Sequence, residues 1–277
     1  MVIYLIIALI LAVLAALSAR RFADFRADRQ ATEALILSQP AAPARFDPVM
    51  VAPLPEPARR FFLYTIAPGT PLYTVATLTM EGKFGMGDRA KPDYMAMSAR
   101  QTLAAPTGFI WRMHARRGSM RISGSDTGQW TRFWLMGLLP VARMGGDADH
   151  TLSAFGRYIA EAVFWTPAVV LPGPNVHWEL VDVHTARVTV RHGGLSQAVD
   201  VTVAGDGRPI QVRFDRWSNA NPEKEHRWQP FGGYLSEFRD VDGFRLPTHV
   251  EAGNYFGTER YFPFFVVDVT EIVFPHD

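Results

Sequence analysis

An uninterrupted run of uncharged residues at the N-terminus, positions 2–19, constrains this chain more than any other feature of its sequence. In an α-helix a run of this length spans about 27 Å, close to the thickness of the hydrocarbon core of a bilayer. No Lys or Arg precedes the run, whereas a secretory signal peptide normally begins with basic residues, and the only cleavage-like pattern is Ala16-Leu17-Ser18. We therefore predict an uncleaved, single-pass transmembrane anchor over residues 1–20, with a cleaved signal peptide as the alternative.

Basic residues follow this predicted helix, and none precedes it. The four arginines are Arg20, Arg21, Arg26 and Arg29. Membrane segments place their Lys- and Arg-rich flanks on the cytoplasmic side. The pattern therefore favours a single-pass protein whose main domain lies on the cytoplasmic side of an inner membrane, with the opposite side as the alternative, because carrier-like β-domains often lie across the membrane.

Alanines recur every four residues on one face of the predicted anchor, at Ala8, Ala12 and Ala16. Small side chains at this spacing let two membrane helices approach closely. The stripe therefore suggests a membrane-helix partner for this chain. The general abundance of alanine in membrane helices is the alternative explanation.

The composition of the chain excludes several classes of function. With 48% hydrophobic and 20% charged residues, a chain of 277 residues can bury a large core, so disorder of the whole chain is excluded. Lys and Arg total 28 and Asp and Glu total 27, and a net charge of +1 provides no field that would hold a nucleic acid. The absence of Cys excludes disulfides, Cys-ligated zinc, iron–sulfur clusters and a thiolate nucleophile.

Residues 21–57 connect the anchor to the main domain and divide into two parts. Residues 21–37 have the pattern of a juxtamembrane helix. Residues 38–57 contain six of the 20 prolines, so this stretch can be neither a helix interior nor a central strand. Its apolar residues favour a strap lying on the domain over a free spacer, and they are Phe46, Val49, Met50 and Val51. We expect the β-rich domain over residues 58–277.

The main domain has mostly the pattern of β-strands. Apolar and polar residues alternate over 74–80 and 109–116, and three alternating runs over 186–214 are separated by Gly-rich turns, as in a meander. Asp242-Gly243 indicates another hairpin, and 261–274 a last long strand. We therefore expect about nine to eleven antiparallel strands, enough for the sheet to curl strongly.

One long helix is predicted among the strands, at residues 149–165, and Pro167 follows it. Both of its sides are apolar: one carries Leu152, Phe155, Ile159, Ala162 and Val163, and the other carries Tyr158, Phe164 and Trp165 around Arg157 and Glu161. A helix on a flat core would have a polar outer side, so we expect protein on both sides of this one. The predicted fold is mainly β (α+β), a strongly curved antiparallel meander or half-barrel with one helix in its concavity, together with an N-terminal transmembrane helix.

Four ordered motifs in this domain resemble an uncharacterised bacterial family of membrane-anchored, β-rich proteins whose function is unknown. They are PTGFIWRMHAR, LMGLLPVARMGG, FGRYIAEAVFWTPAVVLPGPNVHWELVD and FRDVDGFRLPTHVEA, at 106–116, 135–146, 155–182 and 238–252. The resemblance covers about residues 54–274, implies a membrane-spanning N-terminus and brings no assigned activity. At the level of the fold, a meander that ends in a DGFRLP-like hairpin resembles the half-barrel of lipoprotein and lipid carriers, although a shared fold does not fix a function.

The sequence contains no established catalytic or cofactor-binding motif. Its eight His show no metal-ligand spacing such as H-E-x-x-H, and the G-x-S-x-G, P-loop and dinucleotide fingerprints are absent. We therefore predict no catalytic residue, no metal ligand and no cofactor.

The candidate ligand-binding residues are the aromatic residues expected around the helix, together with its charged pair. They are Trp111, Phe133, Trp134, Tyr158, Phe164, Trp165, Arg157 and Glu161. Arg157 could anchor a carboxylate or phosphate head group, or it could lock the helix to the sheet through Glu161, four residues away, and buried ion pairs favour the second interpretation. The aromatic run at 130–139 is interpreted as core, with an exposed lip that touches membrane as the alternative.

Three hypotheses on function remain open at this point. The first is a membrane-tethered, non-enzymatic module that binds a hydrophobic or lipid-like ligand in a half-barrel cavity, with membrane lipid as its partner. The second is a structural accessory protein that docks on a membrane complex. The third is an enzyme whose site is assembled from non-adjacent residues around Glu161 and a His. The helix with two apolar sides favours the first.

Overall fold

Thirteen strands form a single antiparallel sheet in the computed structural model, which describes residues 1–276. The first six strands are β1 (Ala76–Gly85), β2 (Tyr94–Ala104), β3 (Gly108–Arg117), β4 (Met120–Thr127), β5 (Thr131–Leu135) and β6 (Leu139–Met144). The other seven are β7 (Val176–Leu180), β8 (Thr185–His192), β9 (Leu195–Val203), β10 (Pro209–Ser218), β11 (Arg227–Val241), β12 (Phe244–Asn254) and β13 (Phe262–Val273). Each set is a meander, and the pairing of β1 with β13 joins the two. The edges of the sheet are therefore β6 and β7.

Three α-helices accompany the sheet in the part of the chain that the structure describes: α1 (Val2–Ile36), α2 (Glu56–Thr65) and α3 (Ala148–Trp165). α3 begins where the Asp147 carboxylate accepts a hydrogen bond from the backbone N–H of His150 at 2.7 Å. It contacts β2 and β3 as well as β9, β10 and β12, which lie far apart in the strand order, so the sheet curves around it. Tyr158 and Trp165, on the side of α3 that was expected to be covered, are buried. The predicted fold class is confirmed.

The sheet has more strands than the nine to eleven expected from the sequence, where β5 and β6 left no clear signal. Phe133 and Leu135 of β5 face the concave side of the sheet, whereas Trp134 faces the opposite side and is buried there beneath α1. Both faces of β5 therefore carry large apolar side chains, and Arg132 lies on the outer face together with Trp134. This removes the alternation of apolar and polar residues by which a strand is recognised.

The alternation of β3 shows how the rest of the sheet distributes its side chains. Trp111, Met113 and Ala115 are buried on the concave side, whereas Arg112 and His114 face the outer side. The second half of α1 lies along that outer side. This part of the molecule therefore has three layers, in the order α1, sheet and α3.

The segment between α1 and α2 lies on the domain through two of its apolar residues. Phe46 and Val51 are buried in the core, whereas Val49 is exposed. A short 3₁₀ helix, Pro48–Val51, begins where the Asp47 carboxylate accepts a hydrogen bond from the backbone N–H of Val49 at 2.9 Å. The prolines thus occur in an irregular segment outside the sheet.

Two carboxylates hold the second half of α1 against the sheet. Asp24 Oδ2 accepts hydrogen bonds from Arg143 Nη1 at 2.7 Å and from Trp134 Nε1 at 2.9 Å. Asp28 Oδ1 accepts one from Ser125 Oγ at 2.7 Å. Burial raises the pKa of the Asp24 carboxyl, but the hydrogen bonds from Arg143 and Trp134 and the charges of Arg143 and Arg132 together outweigh burial and keep that pKa below its ordinary value. Asp24 is therefore a charged clamp between α1 and the sheet.

The Asp24→Asn variant is expected to loosen α1 without unfolding the sheet. The substitution removes the charge that two arginines and Trp134 share, and hydrogen bonds to charged groups contribute about 1.5–3 kcal/mol each. Hydrogen exchange of the backbone amides at 22–36, measured on the full chain, should therefore be roughly 10- to 100-fold faster than in the wild type. Arg29→Ala, which removes an exposed pair with Glu33 on the same helix, is the matched control. Equal exchange in both variants would contradict the role of Asp24 as a clamp.

Candidate ligand-binding site

A cavity of about 600 Å³ lies between α3 and the concave face of the sheet. Its volume falls within the range of about 300–1,000 Å³ that is typical of sites for small molecules. Met86, Val141 and Met144 line it and are also exposed, by 57%, 53% and 62%. The cavity therefore opens between the edge strand β6 and the loop that connects β1 to β2.

Most of the cavity wall is apolar because the strands direct their inward positions toward it. Five methionines line it, and they are Met86, Met95, Met113, Met120 and Met144. Aromatic side chains complete the wall, among them Phe84, Trp111, Phe133, Phe231, Phe264 and Phe265. Methionine is flexible and polarisable, so such a wall can adapt to apolar molecules of different shapes.

Arg157 of α3 is fully engaged by its neighbours at one end of the cavity. Its Nε donates to Glu161 Oε1 at 2.8 Å, and its Nη1 donates to Asp126 Oδ2 at 2.7 Å. Gln101 bridges the group, because its Nε2 donates to Glu161 Oε2 at 2.6 Å. Burial lowers the pKa of Arg157, but the charges of Glu161 and Asp126 outweigh burial and raise it. This geometry supports the interpretation that Arg157 locks the helix to the sheet.

Arg216 of β10 lines the same cavity and has no such partners. Within residues 1–276 its side chain forms no ion pair and no hydrogen bond, and its Nε is buried. Its guanidinium lies over the ring of Phe231, 5.2 Å from the ring centre. Burial, followed by the nearby charge of Arg157, lowers the pKa of Arg216 to about 10. The cavity thus contains a cation without a counter-ion in contact with it.

Six of the eight candidate residues predicted from the sequence line this cavity. They are Trp111, Phe133, Phe164, Trp165, Arg157 and Glu161. The other two lie elsewhere. Trp134 faces α1 on the outer side of the sheet, because neighbouring residues of a strand point to opposite faces. Tyr158 packs against Phe109, and its hydroxyl donates a hydrogen bond to the carbonyl oxygen of Pro106 at 3.4 Å.

The sequence interpretation missed three functional candidates: Asp126, Gln101 and Arg216. Asp126 lies on β4 and Gln101 on β2, both far from Arg157 in the sequence. They come close to Arg157 only when the strands pair into the sheet. Arg216 could have been predicted from the alternation along β10. It lies two residues after Phe214 and four after Val212, and both of these face the cavity.

The enzyme hypothesis named Glu161 and a histidine as one arrangement for its site. No histidine lines the cavity beside Glu161 in the part of the chain that the structure describes, residues 1–276. Those residues also contain no group of three or more His, Cys, Asp or Glu side chains that could hold a metal ion.

Comparisons with known proteins identify a family and two distant structural similarities. The model of a family of unknown function, DUF6544, matches residues 44–267, which confirms the family resemblance predicted from the sequence. A search of the curated proteins gave no match. The structure is similar to a domain described as an outer membrane lipoprotein-sorting protein from Vibrio parahaemolyticus, with 9% identity and a TM-score of 0.37 over 72% of this chain and 85% of the other. It is also similar to a LolA superfamily protein from Nitrosomonas europaea, with 11% identity and a TM-score of 0.34 over 72% of this chain and 84% of the other. Similarity at this level carries no argument about function.

Proposed function

We propose that this chain, which belongs to the family of unknown function DUF6544, is a membrane-tethered module that binds one lipid-like molecule in the cavity beneath α3. The observation that carries the proposal is the apolar cavity itself. The cavity has a volume of about 600 Å³ and opens to the surface, so without a ligand its mostly apolar wall is in contact with water. Water solvates such a wall poorly, and an apolar ligand that covers it would be bound favourably.

The tether in this proposal is the first half of α1. The helix is long and apolar enough to cross a membrane, and all of residues 2–19 except the half-buried Leu17 are exposed. A cleaved signal peptide passes the same test of length and composition. The intact mass of the purified protein distinguishes the two, because cleavage near Ser18 would remove most of the apolar run.

The cavity in this proposal opens next to the membrane surface. The turn between β5 and β6 carries exposed Met136 and Leu138, and its Gly137 lies against the guanidinium of Arg21, the second residue after the apolar run. If residues 2–19 span the bilayer, this turn lies at the level of the lipid head groups. Leu135 and Val141 of the same hairpin line the cavity, so an apolar path leads from the bilayer to the binding site. In this proposal the turn is the exposed lip that touches membrane, which is the alternative to core for residues 130–139.

Retention of lipid by the purified full chain tests the proposal. Extraction of the wild-type chain with organic solvent should release a lipid-like molecule, close to one per protein, which mass spectrometry detects. Ala142→Trp should retain several-fold less, because Ala142 is a half-buried residue of the edge strand β6 that lines the cavity, and the indole fills part of it. Ala220→Trp places the same side chain at an exposed loop position outside the cavity and should retain as much as the wild type. Equal retention by both variants would show that the lipid is bound elsewhere.

Two expectations about the membrane environment remain predictions. Ala8, Ala12 and Ala16 lie on the exposed part of α1, and crosslinking in native membranes would reveal a partner helix. The cytoplasmic placement of the domain, inferred from the arginines after the anchor, would be tested by proteolysis of membrane vesicles of known orientation.

A further inference from the structure

Arg216 is the one cationic side chain of the cavity that lacks an acceptor among the described residues 1–276. Its Nε is buried without a hydrogen-bond partner, and the side chain takes part in no ion pair. The half-buried side chain lies over the ring of Phe231 in a mostly apolar wall, and the charges of Arg157, Asp126 and Glu161 are near it without an ion-pair contact. A charge held in such surroundings is costly unless it is paired, so the position favours the arrival of an anion.

The carboxylates nearest to this arginine are already occupied. Glu161 accepts from Arg157 through Oε1 and from Gln101 through Oε2. Asp126 accepts from Arg157 through Oδ2 and from Thr131 through Oδ1. The charges of Arg157, Arg216, Glu161 and Asp126 sum to zero. However, both carboxylates accept hydrogen bonds from Arg157 and its neighbours, and neither forms an ion pair with Arg216.

A second unused donor lies in the same wall. Trp111 Nε1 is buried, and within residues 1–276 it has no hydrogen-bond partner. The guanidinium of Arg157 lies 5.2 Å from the Trp111 ring centre, which places this indole beside the charged end of the cavity. Buried polar groups in proteins are usually paired, so two unpaired donors in one cavity point to a missing acceptor.

We propose that Arg216 binds the anionic head group, a carboxylate or a phosphate, of the molecule held in the cavity, so that the ligand is an acidic amphiphile. This inference rests on the proposed function and adds the chemical class of the ligand. The acyl chain would lie along the methionine-rich wall toward Met86 and Met144, where the cavity opens. A guanidinium forms paired hydrogen bonds with either head group.

Three probes that share one oleyl chain separate the head group from the tail: oleate, oleyl phosphate and oleyl alcohol. Binding to the delipidated full chain is measured by displacement of a fluorescent fatty acid. The wild type should bind at least one of the two acids roughly 10- to 100-fold more tightly than the alcohol, as expected for a charge-assisted hydrogen bond. Whether oleate or oleyl phosphate binds more tightly identifies the head group.

The Arg216→Gln variant should bind the acids no more tightly than the alcohol, with the affinity for the alcohol unchanged. Arg216→Lys, which keeps the charge, should recover part of the preference and shows that the site folds. Arg213→Gln, on the same strand but exposed and outside the cavity, should behave as the wild type. Persistence of the preference in Arg216→Gln, or its absence from the wild type, would overturn the assignment of Arg216. Failure of all three probes to bind the wild type would instead overturn the proposed function.

Discussion

Replacing Arg157 with methionine is expected to lower the free energy of unfolding by about 3–5 kcal/mol. The side chains of Arg157, Glu161 and Asp126 are only 15%, 14% and 18% exposed, so the substitution leaves two carboxylates in a largely enclosed site without the cation that contacts both. A loss of this size is a large part of the roughly 5–15 kcal/mol that stabilises a typical domain. Denaturant unfolding of the full chain, followed by tryptophan fluorescence, measures it.

A triple variant separates the charge effect from simple loss of packing. Arg157→Met combined with Glu161→Gln and Asp126→Asn removes all three charges of the ion-paired group and should recover part of the lost stability, because neither carboxylate remains charged without the arginine that contacted it, although Arg216 loses the negative charges near it. Glu161→Gln alone should cost less than Arg157→Met, since Arg157 keeps its contact with Asp126 at 2.7 Å. If the triple variant were as unstable as Arg157→Met, the packing of the arginine and not its charge would account for the loss.

The sequence predicted this helix well because its composition is unusual on both sides. Aromatic residues around the whole circumference of a helix require protein on both sides, and that condition led directly to a curved sheet. Phe155 and Ile159 on one side and Phe164 and Trp165 on the other are all buried, as expected. The sequence could not show that Asp126 and Gln101 complete the charged group, because these residues are remote in the chain and meet Arg157 only after the strands pair.

The errors of prediction concentrate where α1 covers the sheet. A strand with one covered face alternates between apolar and polar residues, and this pattern revealed β3 and the strands over 186–214. β5 lies between the cavity and α1, so both of its faces carry large apolar side chains and the alternation is lost over Phe133, Trp134 and Leu135. The α1 layer also explains the position of Trp134. This residue is aromatic and buried, but α1 buries it on the side of the sheet opposite the cavity.

The turn between β5 and β6 is expected to lie in the bilayer surface when the full chain is reconstituted into nanodiscs. The chain contains no Cys, so Met136→Cys and Leu138→Cys each provide a single attachment point for a fluorophore. Met136 and Leu138 are 53% and 47% exposed, and burying an apolar side chain of this size contributes about 1.5–3 kcal/mol. Arg21 and Arg121 adjoin the turn, and basic residues at this level would attract anionic head groups.

Quenchers attached to the lipid chains should therefore remove most of the fluorescence of probes at Met136→Cys and Leu138→Cys. A probe at Val183→Cys is the control, because Val183 is an apolar residue that is 75% exposed in the turn between β7 and β8, at the other edge of the sheet. That probe should be quenched little by the lipids and strongly by a soluble quencher. If all three probes responded alike to the lipid-attached quencher, the hairpin would not mark the membrane side of the domain. In that case the cavity would receive its ligand from solution or from another protein instead of from the bilayer beside α1.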